Sequence, residues 1–256
     1  MFIPLHDANA LKHIRLQWVT LGLIIANALV FLGVNISLPP ETATALMISL
    51  GYIPAVIYDH LDIPPDILLV PEQFSYVTYA FFHADWIHLG SNMLFLWVFG
   101  DNVEDALGHV KFLIFYLLCA AAGAWAHGLM DTQSNAPLIG ASGAVAGIVA
   151  AYLMLHPHVK VWILALARVP LRLPAWIPLL FWAGLQVFMI LTDIGGEVSW
   201  AAHVGGLIAG ALLVVVLKRR GVPLFDRAIV TPDAVELEAP RERTNADTDP
   251  RPWGRG

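Results

Sequence analysis

The sequence predicts an all-α polytopic membrane protein, a bundle of six transmembrane helices with a long membrane-associated first loop. Three features predict this fold class: the composition, the spacing of apolar runs and the one-sided placement of cations. The chain has 256 residues, of which 58% are hydrophobic and 13% are charged, whereas soluble domains average about 25% charged residues. One span takes about 20 residues, so this length leaves little room for a separate soluble enzyme domain.

Six apolar runs, each bounded by polar residues or by Pro and Gly, are long enough to cross a bilayer. The predicted spans are 16–36, 86–103, 112–130, 138–155, 175–194 and 199–217. The second span is the least apolar, because it contains His88, Ser91 and Asn92. Polar side chains inside a membrane are costly, and they often mark a functional site.

The positions of Lys and Arg predict the orientation. With six spans, both termini and the even-numbered connections lie on one side of the membrane. All 14 Lys and Arg residues fall on that side, and none occurs in the opposite loops 37–85, 131–137 and 195–198. Because cytoplasmic loops are enriched in cations, both termini are predicted to be cytoplasmic. We expect an integral, multi-pass protein of the bacterial inner membrane.

The predicted organisation has three parts: a cytoplasmic N-terminal segment 1–15, a six-span domain 16–217, and a disordered cytoplasmic tail 218–256 that contains few apolar groups. The first loop, 37–85, combines prolines with many aromatic residues. It is predicted to lie at the membrane interface without long helices. Segment 159–173 mixes apolar and cationic residues, which predicts an amphipathic stretch on the inner surface.

Composition and motifs argue against several functions. The formal net charge is −6 and there is no basic patch, so nucleic acid is not an expected partner. The single cysteine, Cys119, cannot form an intrachain disulfide. The sequence has no H-E-x-x-H zinc motif and no two carboxylates at one depth within the spans. A small-molecule transporter stays an open alternative, although spans 1, 3 and 5 carry no charge at mid-depth.

Polar residues of three spans are predicted to lie at one depth. Ser142 and His203 each lie four residues past the start of their spans, which is about 6 Å below the outer boundary at the rise of an α-helix. On span 2, His88 and Asn92 share one helix face, about 3 and 9 Å deep by the same rise. Spans 2, 4 and 6 run in the same direction, so these four side chains can meet.

This set of side chains fits nucleophilic catalysis. A serine needs a neighbouring base to take its proton, and two donors on a third helix could stabilise the oxyanion that forms when a carbonyl is attacked. Glycines next to Ser142 and after His203 let spans 4 and 6 approach closely. Such glycines are also common as plain packing faces, and intramembrane histidines are often structural. The coincidence of depth on three helices favours catalysis.

Three motifs resemble those of the rhomboid family of intramembrane serine proteases. They are H-L-G-S-N at 88–92, G-A-S-G at 140–143 and A-H-V-G-G-L-I-A-G at 202–210. Their order and the number of spans agree with that family, and the likeness covers about 16–217. The resemblance implies a rhomboid-like bundle and a Ser-His dyad that needs no cofactor and no metal.

The resemblance also implies a role for each matched residue. Ser142 is the nucleophile and His203 the general base, while His88, Asn92 and the backbone N–H of Ser142 form the oxyanion hole. Glu104 corresponds to a structural glutamate. Two positions depart from the pattern of some members. Ala146 stands where an aromatic residue would stack on the histidine, and the first loop has no Arg.

The expected substrates are transmembrane proteins, because the site lies within the bilayer. A helical peptide bond is sheltered by its own hydrogen bonds, so substrates should carry helix-destabilising small residues near the cut. The resemblance implies lateral access past span 5, whose aromatic residues are candidates for a gate. They are Trp176, Phe181, Trp182 and Phe188. The alternative is a catalytically inactive relative that binds membrane clients.

Overall fold

A computed structural model describes residues 2–192 and 199–226. The predicted outer loop 195–198 and tail residues 227–256 lie outside the described residues. The elements, in chain order, are β1 (Phe2–Asp7), α1 (Trp18–Leu32), α2 (Pro40–Leu50), α3 (Pro54–Ile57), α4 (Ser75–Thr78), α5 (Trp86–Leu107), α6 (His109–Met130), α7 (Ser142–Leu155), β2 (Lys160–Ala165), β3 (Val169–Pro174), α8 (Trp176–Thr192) and α9 (Trp200–Leu217). A π-helical turn, Gly33–Ser37, continues α1.

The long helices confirm the predicted helical membrane fold. Each of the six predicted spans overlaps one of them, and the six helices are α1, α5, α6, α7, α8 and α9. Helix α5 extends four residues past its predicted span, and α6 begins three residues before its own. Three are long and apolar enough to cross a membrane by themselves, namely Trp18–Ser37, His109–Met130 and Trp200–Leu217. Two more, α7 and α8, are apolar but shorter. The remaining helix, α5, carries acidic residues near its C-terminal end.

Helix α7 is the centre of the bundle. Every residue from 143 to 152 is buried. Its 14 residues extend only about 21 Å, less than the roughly 30 Å of a hydrocarbon core. A helix this short suits a position that other helices surround. The prediction placed the start of span 4 at Leu138, but the helix begins at Ser142, and residues 138–141 before it are not helical.

Glycines allow the backbones of α7 and α9 to contact each other. A Cβ added at Gly206 would collide with the carbonyl oxygen of Gly143, and one at Gly210 would collide with the backbone of Gly147. On the other side of α7, a Cβ at Gly147 would meet the Sγ of Cys119 on α6. The small residues that the sequence placed at four-residue spacing therefore allow close helix packing, as expected.

The inner segment 159–173 differs from the prediction. It forms most of an antiparallel hairpin, β2–β3, and β1 pairs with β2 to give a three-stranded sheet of order β1-β2-β3. Val161 and Ile163 are buried while Lys160 and Trp162 are exposed, so the burial alternates with the period of a strand. The N-terminal segment 1–15 thus contributes a strand to the fold.

The aromatic residues of the first loop are mostly inside the protein. Tyr52, Tyr79 and Phe82 are buried, and among the predicted interface residues Phe74 is the one that is well exposed. The hydroxyl of Tyr79 donates to the carbonyl of Ala120 on α6 at 2.9 Å. The loop also contains an 11-residue helix, α2, which the prolines permit because one occupies its first turn. This loop is a packed layer, where the sequence predicted an interfacial segment.

Glu104, the predicted structural glutamate, caps α1. Its carboxylate is fully buried and accepts hydrogen bonds from the backbone N–H groups of Val19 and Thr20 and from the Thr20 hydroxyl, at 3.0, 2.8 and 2.7 Å. The Nδ1 of His109 lies 2.5 Å from the same carboxylate. The first N–H groups of a helix lack intrahelical acceptors, so Glu104 joins the start of α1 to the end of α5.

Residues 218–226 are ordered, although the sequence predicted disorder from 218 onward. The N–H of Arg219 donates to Ala106 at 2.9 Å, and the N–H of Phe225 donates to Met154 at 2.6 Å. Val222 is buried. These contacts pair carbonyl groups near the C-terminal ends of α5 and α7, which a helix cannot pair by itself.

The buried Asp7 makes the stability of the fold pH-dependent. It accepts hydrogen bonds from the Tyr152 hydroxyl at 2.7 Å and from Asn102 Nδ2 at 2.9 Å. Burial raises the pKa of Asp7 from 3.8 to about 6, against the opposing effect of the Tyr152 hydrogen bond. The folded chain therefore holds this proton more tightly than the unfolded chain, so the free energy of unfolding falls as the pH rises from about 4 to about 6.

We expect Asp7→Asn to remove most of this fall, which is at most about 3 kcal/mol for a shift of this size. The asparagine keeps an oxygen acceptor for Tyr152 and does not ionise. Thermal unfolding of both proteins in detergent between pH 4 and pH 7 measures the difference. Equal slopes for wild type and variant would contradict the role assigned to Asp7.

Candidate active site

The segment before Ser142 is held by the first loop. Leu138 and Tyr52 exchange backbone hydrogen bonds at 2.8 and 3.1 Å, and the N–H of Gly140 donates to the carbonyl of Tyr79 at 3.0 Å. Non-helical backbone at membrane depth is tolerated where protein surrounds it and pairs its polar groups. The buried tyrosines of the loop thus set the position at which α7 begins.

Gly140 is required by its conformation and by its neighbour. Its φ is +117°, in the region that favours glycine. A Cβ added there would lie 2.5 Å from the Nε2 of His88. The imidazole of His88 therefore rests against the backbone two residues before Ser142.

Ser142 is the first residue of α7 and is half-buried. The first helical hydrogen bond runs from the N–H of Val145 to the carbonyl of Ala141 at 2.9 Å. The N–H groups of Ser142 and Gly143 precede that bond, so they have no acceptor within the helix. The N-terminus of a helix also carries a partial positive charge. A developing oxyanion beside Ser142 would meet these donors.

His203 lies on α9 beside the first turn of α7. A Cβ at Gly143 would lie 3.4 Å from the carbonyl oxygen of Ala202, the residue before His203. The His203 side chain is buried. Among the described residues, the Ser142 hydroxyl forms no hydrogen bond, so it is not bonded to His203. Catalytic hydrogen bonds are often long in the absence of substrate and shorten when it binds.

His83 is a site residue that the sequence analysis missed. Its Nε2 lies 3.1 Å from Asn92 Nδ2, and the backbone N–H of Ala141 donates to it at 3.4 Å. A backbone N–H can only donate, so Nε2 carries the lone pair and Nδ1 the proton. Burial, with a smaller effect of His88, lowers the pKa of His83 to about 3. This neutral ring ties Asn92 to the segment before Ser142.

Two of the predicted site residues, His88 and Asn92, contact this ring. The imidazoles of His83 and His88 meet edge to face, with centroids 4.9 Å apart. One amide proton of Asn92 is used on His83, which leaves its second proton available to the site. The only signal for His83 in the sequence is its position five residues before His88.

The two aromatic neighbours of His203, Trp182 on α8 and Trp200 on α9, come from other helices than the family pattern implies. Ala146 is buried, and a Cβ at Gly206 would lie 3.3 Å from its side chain, so this position has no room for a ring. Trp182 on α8 lies instead beside the imidazole, with centroids 5.9 Å apart and planes at 30°. The Nδ1 of His203 lies 2.7 Å from the Oε1 of Gln186, a contact that the sequence analysis did not anticipate.

Within the part of the chain that the structure describes, no group of three or more His, Cys, Asp or Glu residues could hold a metal ion.

Fold and site together define a polytopic helical membrane protein with a serine and a histidine on two closely packed helices. The chain belongs to the rhomboid family, since the family model of the Rhomboid domain matches residues 71–220, more than half of its length.

Three relatives illustrate this membership. Rhomboid protein 1, mitochondrial, of Saccharomyces cerevisiae is 33% identical over 152 residues, which cover 56% of this chain and 41% of that protein. RHOMBOID-like protein 12, mitochondrial, of Arabidopsis thaliana is 29% identical over 76% of this chain and 56% of its own length. Rhomboid protease GlpG of Serratia proteamaculans is 29% identical over 59% of this chain and 50% of its own length. The matches thus span about half of each relative.

Proposed function

We propose that this protein is an intramembrane serine endopeptidase that cleaves other membrane proteins through a Ser-His dyad. The observation that carries this proposal is the backbone contact between Gly143 and Gly206, which brings the first turn of α7 against α9. Membership of a family that includes proteins named as proteases supports the same function.

In the proposed reaction, the Ser142 hydroxyl attacks the scissile carbonyl carbon while His203 takes its proton. The tetrahedral intermediate then collapses, the C–N bond breaks, and His203 returns the proton to the leaving amine. Water, deprotonated by His203, hydrolyses the acyl-enzyme and releases Ser142. Hydrolysis of the acyl-enzyme thus follows the same steps as its formation, with water in the place of the serine as the nucleophile.

The oxyanion is proposed to be stabilised by three hydrogen-bond donors. His88 and Asn92 supply side-chain donors from α5, and Ser142 supplies its backbone N–H from α7. His83 supports this set, because it binds Asn92 and Ala141 at the same time. Removing one donor of such a hole commonly lowers kcat by about 10²- to 10³-fold.

The proposed substrates are transmembrane proteins with small, helix-destabilising residues near the cleavage site. A peptide bond inside a helix is shielded by its own hydrogen bonds, so the segment must unwind before Ser142 can reach it. Access is proposed to run past α8, whose outward side chains are largely exposed, including Phe181 and Phe188.

The proposed orientation places both termini in the cytoplasm, and the one-sided distribution of Lys and Arg supports it. The chain is a membrane protein, but the relatives come from mitochondria, chloroplasts and bacteria. They therefore do not favour the bacterial inner membrane that the sequence analysis expected over an organellar membrane.

The test is cleavage of a single-span reporter that carries Ala-Gly near its outer end, by the purified full chain in detergent. Wild type should cut the reporter and react with a fluorophosphonate. Ser142→Ala should lose both activities, with cleavage reduced at least about 10³-fold, since the nucleophile is gone. Ser37→Ala, a change at an exposed serine on the π-helical turn, is the matched control and should behave as wild type.

The alternative, a catalytically inactive protein that binds membrane clients, makes the opposite prediction. Wild type would then bind the reporter without cutting it, and it would not react with the fluorophosphonate. Equal cleavage by wild type and Ser142→Ala would show that a different residue or a contaminant is responsible.

A further inference from the structure

Helix α8 places one polar side chain inside the protein. Among its described residues, those buried are Pro178, Leu179 and Gln186, while much of the rest of the helix is exposed. Gln186 is 2% exposed. A buried amide in an apolar span needs partners for both ends of its polar group, and both partners are present.

The two hydrogen bonds of Gln186 fix which way its amide points. Its Nε2 donates to the backbone carbonyl of Trp182 at 2.9 Å. A carbonyl oxygen can only accept, so the NH₂ group must face Trp182 and the Oε1 must face His203, whose Nδ1 lies 2.7 Å away. A flipped amide would place Oε1 against the carbonyl oxygen of Trp182, and two acceptors cannot form a hydrogen bond.

This orientation determines the tautomer of His203. The Oε1 of Gln186 can only accept, so the Nδ1 of His203 must carry the proton. In the neutral ring, Nε2 then carries the lone pair, which is the form that a general base requires. In soluble triads an aspartate holds the imidazole in this tautomer. Here an uncharged amide can do so, because its donor end is occupied by Trp182.

We propose that Gln186 is a positioning residue that holds His203 as the Nδ1–H tautomer, with Nε2 free to accept the proton of Ser142. This inference rests on the proposed function for the roles of Ser142 and His203. It answers how the histidine is oriented although Ala146 stands where other members place an aromatic residue.

The kinetic test compares Gln186→Met and Gln186→Glu with wild type, using the full chain and the single-span reporter. Methionine fills similar space without an acceptor, so kcat should fall about 10²-fold, a loss within the range that positioned proton transfer contributes, while KM changes little. Leu185→Met is the matched control, because it places the same side chain at the neighbouring position of α8, and its kcat should equal that of wild type.

Gln186→Glu distinguishes positioning from packing. The glutamate keeps an acceptor opposite Nδ1 but loses the hydrogen bond to the Trp182 carbonyl, so the variant should recover part of the activity that Gln186→Met loses. Its negative charge favours the protonated imidazole, so the acid limb of the kcat/KM profile should move to higher pH by about 1 unit or more. Activity of Gln186→Glu as low as that of Gln186→Met would show that the acceptor opposite Nδ1 is not what matters, and it would overturn the inference.

A second measurement does not depend on activity. Nitrogen NMR of the histidine-labelled full chain reports the tautomer of each ring, and comparison with His203→Asn identifies the signals of His203. Wild type should show the Nδ1–H form, and Gln186→Met should shift towards the Nε2–H form. An active wild type with His203 in the Nε2–H form would overturn this inference. An inactive wild type with the Nδ1–H form would overturn the proposed function and leave the tautomer assignment standing.

Discussion

Gly206→Ala should abolish most of the proteolysis while the protein still inserts and folds. The added Cβ would collide with the carbonyl oxygen of Gly143, and both groups belong to helix backbones that cannot rotate away. Helix α9 must therefore move off α7 and take His203 with it. A misplacement of about 1 Å at catalytic groups can cost about 10²-fold in rate, and overpacking of a core costs about 1–3 kcal/mol.

Two other helical glycines supply the control for this experiment. A Cβ at Gly184 on α8 or at Gly22 on α1 has nothing within 4 Å. Alanine at either position should leave activity unchanged and raise stability by a few tenths to about 1 kcal/mol, because alanine is the better helix former. Reporter cleavage and thermal unfolding of the three variants in one detergent measure both effects. Full activity of Gly206→Ala would mean that the contact does not position the dyad.

The same contact shows which part of the candidate site could be predicted from sequence. Hydrophobic runs place Ser142 and His203 near the same ends of parallel spans, and the glycines beside them allow the helices to touch. The depth estimate was less accurate, because it assumed helix from Leu138. The structure begins α7 at Ser142, and the pairing of Leu138 with Tyr52 across a distant loop has no local signal in the sequence.

The hairpin β2–β3 could not be predicted for a different reason. Its turn is formed by Leu166 and Ala167, both with positive φ, at 51° and 55°. Turns of this kind usually contain Asn or Gly, so the residues here carry no turn signature. Val161 and Ile163 are two residues apart, which is the period of a strand. Cationic residues between apolar ones fit an amphipathic surface segment equally well, however.

Gln186 and His83 were missed although each has an unusual position. Charged groups and Ser, His or Asn side chains within a span are the usual marks of a catalytic site. The amide of Gln186 in span 5 matches no catalytic pattern. His83 lies in the first loop, where a histidine needs no explanation. Their roles depend on which atoms face them. Gln186 faces Trp182 and His203, and His83 faces Asn92 and Ala141. Such pairings arise only from the three-dimensional packing.

Glu104→Gln should lower the free energy of unfolding by about 2–5 kcal/mol, although it is nearly isosteric. The carboxylate accepts at both oxygens, from Val19 on one and from the N–H and hydroxyl of Thr20 on the other. In either orientation a glutamine turns an NH₂ group towards donors, and each buried donor that loses its acceptor costs about 1–3 kcal/mol. The loss should appear as a lower unfolding temperature in detergent.

The consequence for function follows from the position of Glu104. The residue joins the start of α1 to the end of α5, and α5 carries His88 and Asn92 at its opposite end. Loosening this junction should therefore not directly reposition these proposed oxyanion donors. We therefore expect Glu104→Gln to retain most of its kcat at temperatures where it stays folded. Glu41→Gln, at an exposed glutamate in the first turn of α2, should change neither stability nor activity appreciably. A variant at Glu104 that unfolds like wild type would contradict the capping role, and one that is stable but inactive would place this carboxylate in the chemistry.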